Sequence, residues 1–336
     1  MFRKANLITR KKFKSNFKFF RESLEKDNFS TKEIEDISKP EDKDKDLPTP
    51  IFTVGLPRAG KSTIESILSK NNLLRKFGDR KGISAVVRDY KNIAESCQVL
   101  GISINSTFKE IRTSYLSLAK QYHPDKGGDE ELMAKIAEGY NFLKNEYEDK
   151  VENYRRPNLF KFFIQKLGED LAPFDFTCHT SPNNILYTGL IASQIPKSKI
   201  IYCYRNPKDH IIELYKYNLQ NHLPLKTSMI DLAKIMVIIN NLMEEYSNRF
   251  HSKIYFLNFD QLILEPKREI KSILNWLHWK YDDKYLTPKL RPKGSIQSKN
   301  DFNSFNSSYL NKSNNYIDRL KPVEGILSKL IRSKNA

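Results

Sequence analysis

Cysteine is scarce in this chain: the three present, Cys97, Cys178 and Cys203, lie far apart, form no C-x-x-C pair and leave one thiol over in any disulfide scheme. That excludes a disulfide scaffold and predicts a reducing, cytoplasmic setting. No run approaches the roughly 18 apolar residues of a membrane span, and the N-terminus lacks the compact apolar region of a secretory signal. The expectation is a protein without a transmembrane segment or anchor. Acids are short too, with 40 Asp and Glu against 57 Lys and Arg, a formal charge of +17. Such an excess attracts phosphates, nucleic acid or an acidic protein surface, and its sign alone does not choose among them. No internal repeat is present.

What is there suffices for a full core. The 336 residues are 39% hydrophobic and 12% aromatic, enough for one large domain or two ordinary ones. Residues 1–21 set Arg3, Lys4, Arg10, Lys11, Lys12, Lys14, Lys18 and Arg21 among Phe13, Phe17, Phe19 and Phe20, with no acid before Glu22. This basic amphipathic arm suits a solvated helix on the body, with membrane or nucleic-acid contact and organellar targeting as alternatives. Pro40, Pro48 and Pro50 with dense charge between them read as a linker. Short apolar runs at 51–54, 199–204 and 253–257 look like buried strands. Met229, Ile230, Leu232, Ile235, Ile239, Leu242 and Met243 recur at helical spacing, as in a long core helix. Strands alternating with helices predict an α/β fold, a parallel sheet flanked by helices.

Between the first strand and a helical stretch at 62–68 stands Gly55-Leu56-Pro57-Arg58-Ala59-Gly60-Lys61-Ser62, which fits G-x-x-x-x-G-K-[ST]. Glycines let backbone N–H groups approach phosphate oxygens, the following helix directs its positive end at the same anion, and the lysine adds a mobile cation. A structural turn is the plainer alternative. An ATPase or kinase also needs a magnesium-binding acid directly after a second apolar strand. Here one strand ends in Arg205, and the other reaches Asp260 only after Asn258 and Phe259, so that half of the motif is weak.

Residues 51–68, IFTVGLPRAGKSTIESIL, resemble the 5′-phosphosulfate loop of bacterial and tyrosylprotein-type sulfotransferases that use PAPS (3′-phosphoadenosine 5′-phosphosulfate), where P-R-S-G-T-T is usual. Residues 200–217, IIYCYRNPKDHIIELYKY, resemble that family's 3′-phosphate segment. Ser181-Pro182-Asn183-Asn184 and Gly189-Leu190-Ile191-Ala192 are similar to its D-K-M-P-x-N-F and G-L-I, and Phe259-Asp260-Gln261-Leu262 to its Y-E-D-L. The likeness covers 51 to about 75 and 157 to about 325. It implies a P-loop-type sheet and PAPS as co-substrate, with no metal. Arg58, Ala59, Gly60, Lys61, Ser62 and Thr63 would hold the sulfate-bearing end and Arg205 the 3′-phosphate. Arg58 and Lys61 would stabilise the leaving oxygen, and Asp79 after Gly78 would stand for the general base, a glutamate after glycine in the family. Four features depart from the pattern. Lys61 replaces the usual threonine, Glu213 the serine eight residues after Arg205, and His179-Thr180 the Asp-Lys pair. No C-terminal arginine is evident between Ser295 and Tyr316.

Between Val99 and Leu143 the sequence changes character. Thr107 and Glu110 form a T-x-x-E capping box ahead of Phe108, Ile111, Tyr115, Leu118 and Tyr122 at helical spacing. The loop His123-Pro124-Asp125-Lys126-Gly127-Gly128-Asp129 follows, and then Met133, Ile136, Tyr140 and Leu143 line a second helix, giving a helical hairpin. VLGI, I-x-x-x-Y-x-x-L-A-x-x-Y-H-P-D-K and I-x-x-x-Y-x-x-L together resemble the J domain of heat-shock co-chaperones, over about 95–155. That resemblance implies a heat-shock ATPase as partner, triggered by His123, Pro124 and Asp125 and docked by the basic face Lys109, Arg112 and Lys120, which Lys126 extends. Leu116 interrupts this stripe where the family often has a cation, and Cys97 takes a customary tyrosine position.

The expected layout is a basic arm and charged linker at 1–49, an N-terminal sulfotransferase-like part at 50–92, a small all-α J domain inserted at 93–156, and the C-terminal part at 157–336. Three functions fit. The first is sulfuryl transfer from PAPS to an undefined acceptor, with a J domain that engages a chaperone. The second is a catalytically degenerate co-chaperone or adaptor, favoured by Glu213 and the missing arginine. The third, an ATP-dependent P-loop enzyme, is opposed by Arg205-Asn206-Pro207.

Overall fold

The computed structural model describes residues 47–79, 82–147, 159–168, 170–216, 228–287, 305, 307 and 310–332. The basic arm and most of the linker lie outside them. The chain divides into two compact units, one drawn from Asp46–Gly82 and Asp170–Ala336, the other from Ile83–Glu169.

The first unit is the expected α/β layer structure. Its strands are β1 (Thr49–Val54), β2 (Leu74–Gly78), β3 (Phe176–His179), β4 (Lys199–Tyr204) and β5 (Ile254–Asn258), and every pairing is parallel, in the order β2-β3-β1-β4-β5. In the central pair Phe52 stands opposite Ile200 and Val54 opposite Tyr202. Side chains alternate between the faces of such a sheet. Ile51, Cys178, Ile201, Cys203 and Leu257 cluster with α1 (Lys61–Leu68), which contributes Ile64, Ile67 and Leu68. Of the two helices that later elements in the chain add to this cluster, one gives Leu262 and Ile263, the other Ile270, Ile273 and Leu274. Each fully buried aliphatic or Phe side chain contributes roughly 1.5–3 kcal/mol. Both sheet faces are covered, which is why β1 and β4 read as unbroken apolar runs.

β2 and β3 escaped the sequence reading for physical reasons. β2, LRKFG, is an edge strand with Arg75 and Lys76 exposed, and β3 has only four residues, among them Thr177 and His179. His179 is fully buried, its ring stacked on Phe52 and Phe77 with centroids 5.1 Å away in each case, and Nε2 lies 2.9 Å from the Thr177 hydroxyl.

The helical unit holds α2 (Ile83–Val99), α3 (Phe108–Tyr122), α4 (Glu130–Tyr147) and α5 (Leu159–Leu167). The capping box forms as expected. The Thr107 amide donates to Glu110 Oε2 at 2.6 Å, and the Glu110 amide to Thr107 Oγ1 at 3.4 Å. Between α3 and α4, Tyr115 stacks on Tyr140 at 4.0 Å, and Ile111, Ile136 and Leu143 are buried. The expected boundary at residue 93 falls inside the continuous helix α2. Similarly, α5 belongs to this unit and not to the sheet, packing Phe162 against Tyr90 and joining Lys166 to Asp89 at 3.3 Å.

The remaining helices belong to the sheet unit: α6 (Thr188–Gln194), α7 (Pro207–Lys216), α8 (Met229–Arg249), α9 (Phe259–Leu264), α10 (Pro266–Trp276) and α11 (Ile317–Arg332). α8 is the long core helix, opened by a second capping box in which the Asp231 amide donates to Ser228 Oγ at 3.1 Å. It buries Leu232, Ile235, Ile239 and Met243, while Ile230 is exposed instead. Among the described residues no helix is long and apolar enough to cross a membrane.

Two buried histidines make the sheet unit acid-sensitive. Burial lowers both His179 and His210 from 6.5 to about 3. Between those values the unfolded chain takes up protons that the folded chain refuses. Stability is therefore full above pH 6.5 and falls as pH drops toward 3, by about 1.4 kcal/mol per pH unit per ring. Urea unfolding between about pH 7 and 4.5 should show this loss, and His179→Phe should reduce the slope by about half. A flat profile would show that the rings titrate normally.

Candidate functional site

In an all-parallel sheet every strand ends on the same edge, and ligands bind there, where the strand order reverses around β1. Across that edge the residues that follow each strand are, in spatial order, Asp79, Thr180, the phosphate loop, Arg205 and Phe259, with Asp260 one residue further on.

The loop is held by close backbone approach. Gly55 has φ +131°, and a side chain there would collide with the Cys203 carbonyl; at Gly60, φ +93°, it would enter the Phe259 ring. Arg58 is left-handed at φ +67°. α1 starts directly at Lys61 with Gly60 as a cap that offers no side-chain acceptor. The Thr63 and Ile64 amides donate to the Gly60 carbonyl at 3.0 and 3.1 Å, and the positive end of the helix faces the loop. Ala59 and Lys61 are buried, and Ser62 and Thr63 half-buried. Lys61 Nζ donates to the Gly55 carbonyl at 2.5 Å, and burial lowers its pKa from 10.5 to about 8. His210, on α7, also braces the loop, with Nε2 2.8 Å from the Pro57 carbonyl.

Arg205 is buried, with Nε 3.6 Å from Asp260 Oδ1 and its guanidinium over the Phe259 ring. The other Asp260 oxygen accepts the Asn206 amide, and Asn258 caps α9 beneath it, accepting from the Asp260 amide at 3.0 Å. Glu213 does not face the edge as a bare charge: Lys312 Nζ sits 3.4 Å away. Lys312 comes from a short 3-10 segment, Lys312–Tyr316, that Asp209 fastens to α7 by accepting the Asn311 and Ser313 amides, each at 2.7 Å. Lys208 adds an ion pair to Glu324 at 2.7 Å. This arrangement brings a C-terminal cation beside Glu213, which the sequence did not reveal because Lys312 lies among Asn and Ser residues without any motif. Asp79 is exposed after Gly78, whose φ is +64°, whereas His179 is locked in the sheet and Thr180 is buried with its amide on the Gly78 carbonyl.

In the helical unit the loop side chains are exposed. His123 Nδ1 lies 3.3 Å from the Asp125 amide and 3.4 Å from Asp125 Oδ2, so the ring is held against the loop backbone through that nitrogen. Pro124 opens a single 3-10 turn and Gly127 closes it at φ +78°. Lys109, Arg112 and Lys120 are all exposed along α3. The Lys126 side chain lies outside the described residues.

The sulfotransferase family model matches residues 50–283. The chain belongs to the sulfotransferase family. A further similarity is to an uncharacterized protein of Aquifex aeolicus, 24% identical over 286 residues, 83% of this chain and 32% of that one. The chaperone protein DnaJ of Hydrogenobacter thermophilus is 41% identical over 87 residues, 25% of this chain and 22% of DnaJ. The chain thus spans a third or less of these two relatives. A solved sulfotransferase domain from the curacin biosynthetic pathway superposes at TM-score 0.48 and 16% identity, over 86% of this chain and 98% of that domain. For this sulfotransferase-family chain, the partial DnaJ match supports an inserted J domain in the helical unit.

The buried lysine gives the loop a pH signature. An anion favours the ammonium form, so a bound ligand raises the Lys61 pKa above 8 and binding takes up a proton once the pH exceeds that value. Affinity for 3′-phosphoadenosine 5′-phosphate should hold between about pH 6.5 and 7.5 and then weaken toward tenfold per unit up to about pH 9.5. Calorimetric titration reads this directly, and Lys61→Met should lower affinity and flatten the profile. An unchanged profile would remove Lys61 from the site.

Proposed function

We propose that the protein transfers a sulfuryl group from PAPS to an acceptor, and that its J domain engages a heat-shock ATPase chaperone. The observation that carries the first part is the state of Asp260, whose carboxylate meets Arg205 and the Asn206 amide. A magnesium nucleotide calls for an available acid at that edge. A sulfuryl donor calls for cations and N–H groups instead, and these the loop supplies.

In this reading Gly60, Ser62 and Thr63 with the α1 N-terminus hold the 5′ end. Lys61 and Arg58 meet the charge that grows on the bridging oxygen as the S–O bond breaks. Lys61 needs only to exchange the Gly55 carbonyl for the ligand, with its charge kept close to the reacting bond by burial. Asp79 takes the acceptor's proton, and Arg205 with Lys312 receives the 3′-phosphate. A second reading, a nucleotide-binding adaptor without catalysis, draws on the fact that Arg205 and Lys312 already have carboxylate partners.

The nucleotide test is calorimetric. 3′-Phosphoadenosine 5′-phosphate should bind more tightly than ATP without magnesium, and Arg205→Ala should remove most of the preference. Glu213→Ser should tighten binding by releasing Lys312 to the phosphate. Tighter, magnesium-dependent ATP binding would point to an ATPase, and tight nucleotide binding with no transfer to any acceptor would favour the adaptor.

The chaperone test is single-turnover ATP hydrolysis by the heat-shock ATPase of the same organism. His123 is exposed, so His123→Gln should leave stability within about 0.5 kcal/mol of wild type. Stimulation should nevertheless be lost. Equal stimulation by the two proteins would leave the J fold a structural insert.

A further inference from the structure

α3 carries one large apolar side chain that its own fold does not use. Leu116 is 56% exposed, while on the other side of the helix Ile111 is buried and Tyr115 stacks on Tyr140 of α4. At roughly 100° per residue, Lys109, Arg112, Leu116 and Lys120 fall within an arc of roughly 80°, with Leu116 at its middle. Three exposed cations therefore surround one exposed leucine. The helix's single acid, Glu110, does not dilute this face, because its carboxylate is turned back into the capping box, accepting from the Thr107 amide and hydroxyl. An apolar centre inside a charged rim is the anatomy of a protein interface, in which the centre carries the affinity and the rim steers.

We propose that Leu116 is the anchor of the docking face, inserting into an apolar depression bordered by acids on the heat-shock ATPase. This rests on the chaperone reading above and adds to it the residue that sets dissociation. The occupant follows from complementarity: a net positive stripe seeks acids, and a solvent-exposed leucine gains only from an apolar contact that excludes water. Charge steering fades with salt, but burial of Leu116 does not. Wild-type association should thus slow as salt rises while the dissociation rate stays nearly constant.

The experiment is surface-immobilised binding kinetics with the nucleotide-bound heat-shock ATPase, over a salt series. Leu116→Ala should speed dissociation about tenfold and leave the salt slope of association unchanged. Leu116→Lys should associate faster, with a steeper salt slope, and still dissociate quickly. Arg112→Glu and Lys120→Glu should slow association. An unchanged off-rate in Leu116→Ala, with weakened binding in the charge variants, would overturn the anchor and leave the docking reading intact. Wild-type protein that binds anionic phosphatidylserine vesicles through Leu116 and ignores the chaperone would overturn both.

Discussion

The backbone of Gly55 lies against the carbonyl of Cys203, too close for any side chain, and the rest of the edge around the loop depends on that approach. It ties the loop after β1 to the last turn of β4 at the point where the chain leaves for Arg205. The same packing recurs at Gly60 against the Phe259 ring, so three strand ends converge on one loop. Lys61 is buried because of this convergence, and burial lowers the pKa of its amine to about 8. His210 fixes the loop from α7 through the Pro57 carbonyl, and burial keeps its ring neutral. Geometry therefore sets the electrostatics of the edge.

Lys61, Arg205 and Lys312 each meet an oxygen atom of the chain itself. Lys61 faces the Gly55 carbonyl, Arg205 faces Asp260, and Lys312 faces Glu213. Taking one partner from a buried ion pair is costly, so a ligand gains only the difference between its own contacts and those it replaces. Such a site discriminates by geometry more than by total charge. Under the proposed function, a monoanion cannot replace several internal contacts at once, whereas a nucleotide with groups at both ends can. Asp209 extends the scheme, since it holds the C-terminal segment by two backbone amides and thereby determines where Lys312 stands.

Legibility in the sequence followed the strength of local signals. β1 and β4 were visible because strands buried on both faces must be apolar throughout, and the loop because its glycines are sterically obligatory. The T-x-x-E box and the stripe of α3 were visible because capping and periodicity act within a few residues. β2 and β3 were not, since an edge strand with two exposed cations and a four-residue strand around a buried histidine carry no such pattern. The pairings of Arg205 with Asp260 and of Lys312 with Glu213 join residues 55 and 99 positions apart, which no local rule reaches. The helical unit begins and ends away from residues 93 and 156 for a related reason: α2 continues without any breaker from Ile83, so its start has no signature near residue 93.

The insertion's place in the chain has a topological rationale. β2 and β3 are adjacent and parallel, so the chain must return from the end of β2 to the start of β3, and a parallel pair always needs a crossover of a dozen residues or more. Most α/β proteins fill that crossover with one helix. Here residues from Ile83 to Glu169 fill it with a four-helix unit that has a core and a capping box of its own. The unit occupies a connection that the parallel pair requires in any case, and the β2–β3 ladder is intact around it. The register of β3 on β2 is set by its own ladder, with Leu74 opposite Phe176, and by the Asp175 and Phe176 amides on the Leu73 carbonyl. Those contacts are independent of how long the crossover is, because loop-closure entropy grows only slowly with length. A sulfotransferase sheet can therefore carry a chaperone-type module at this point without altering the loop, Lys61 or Arg205.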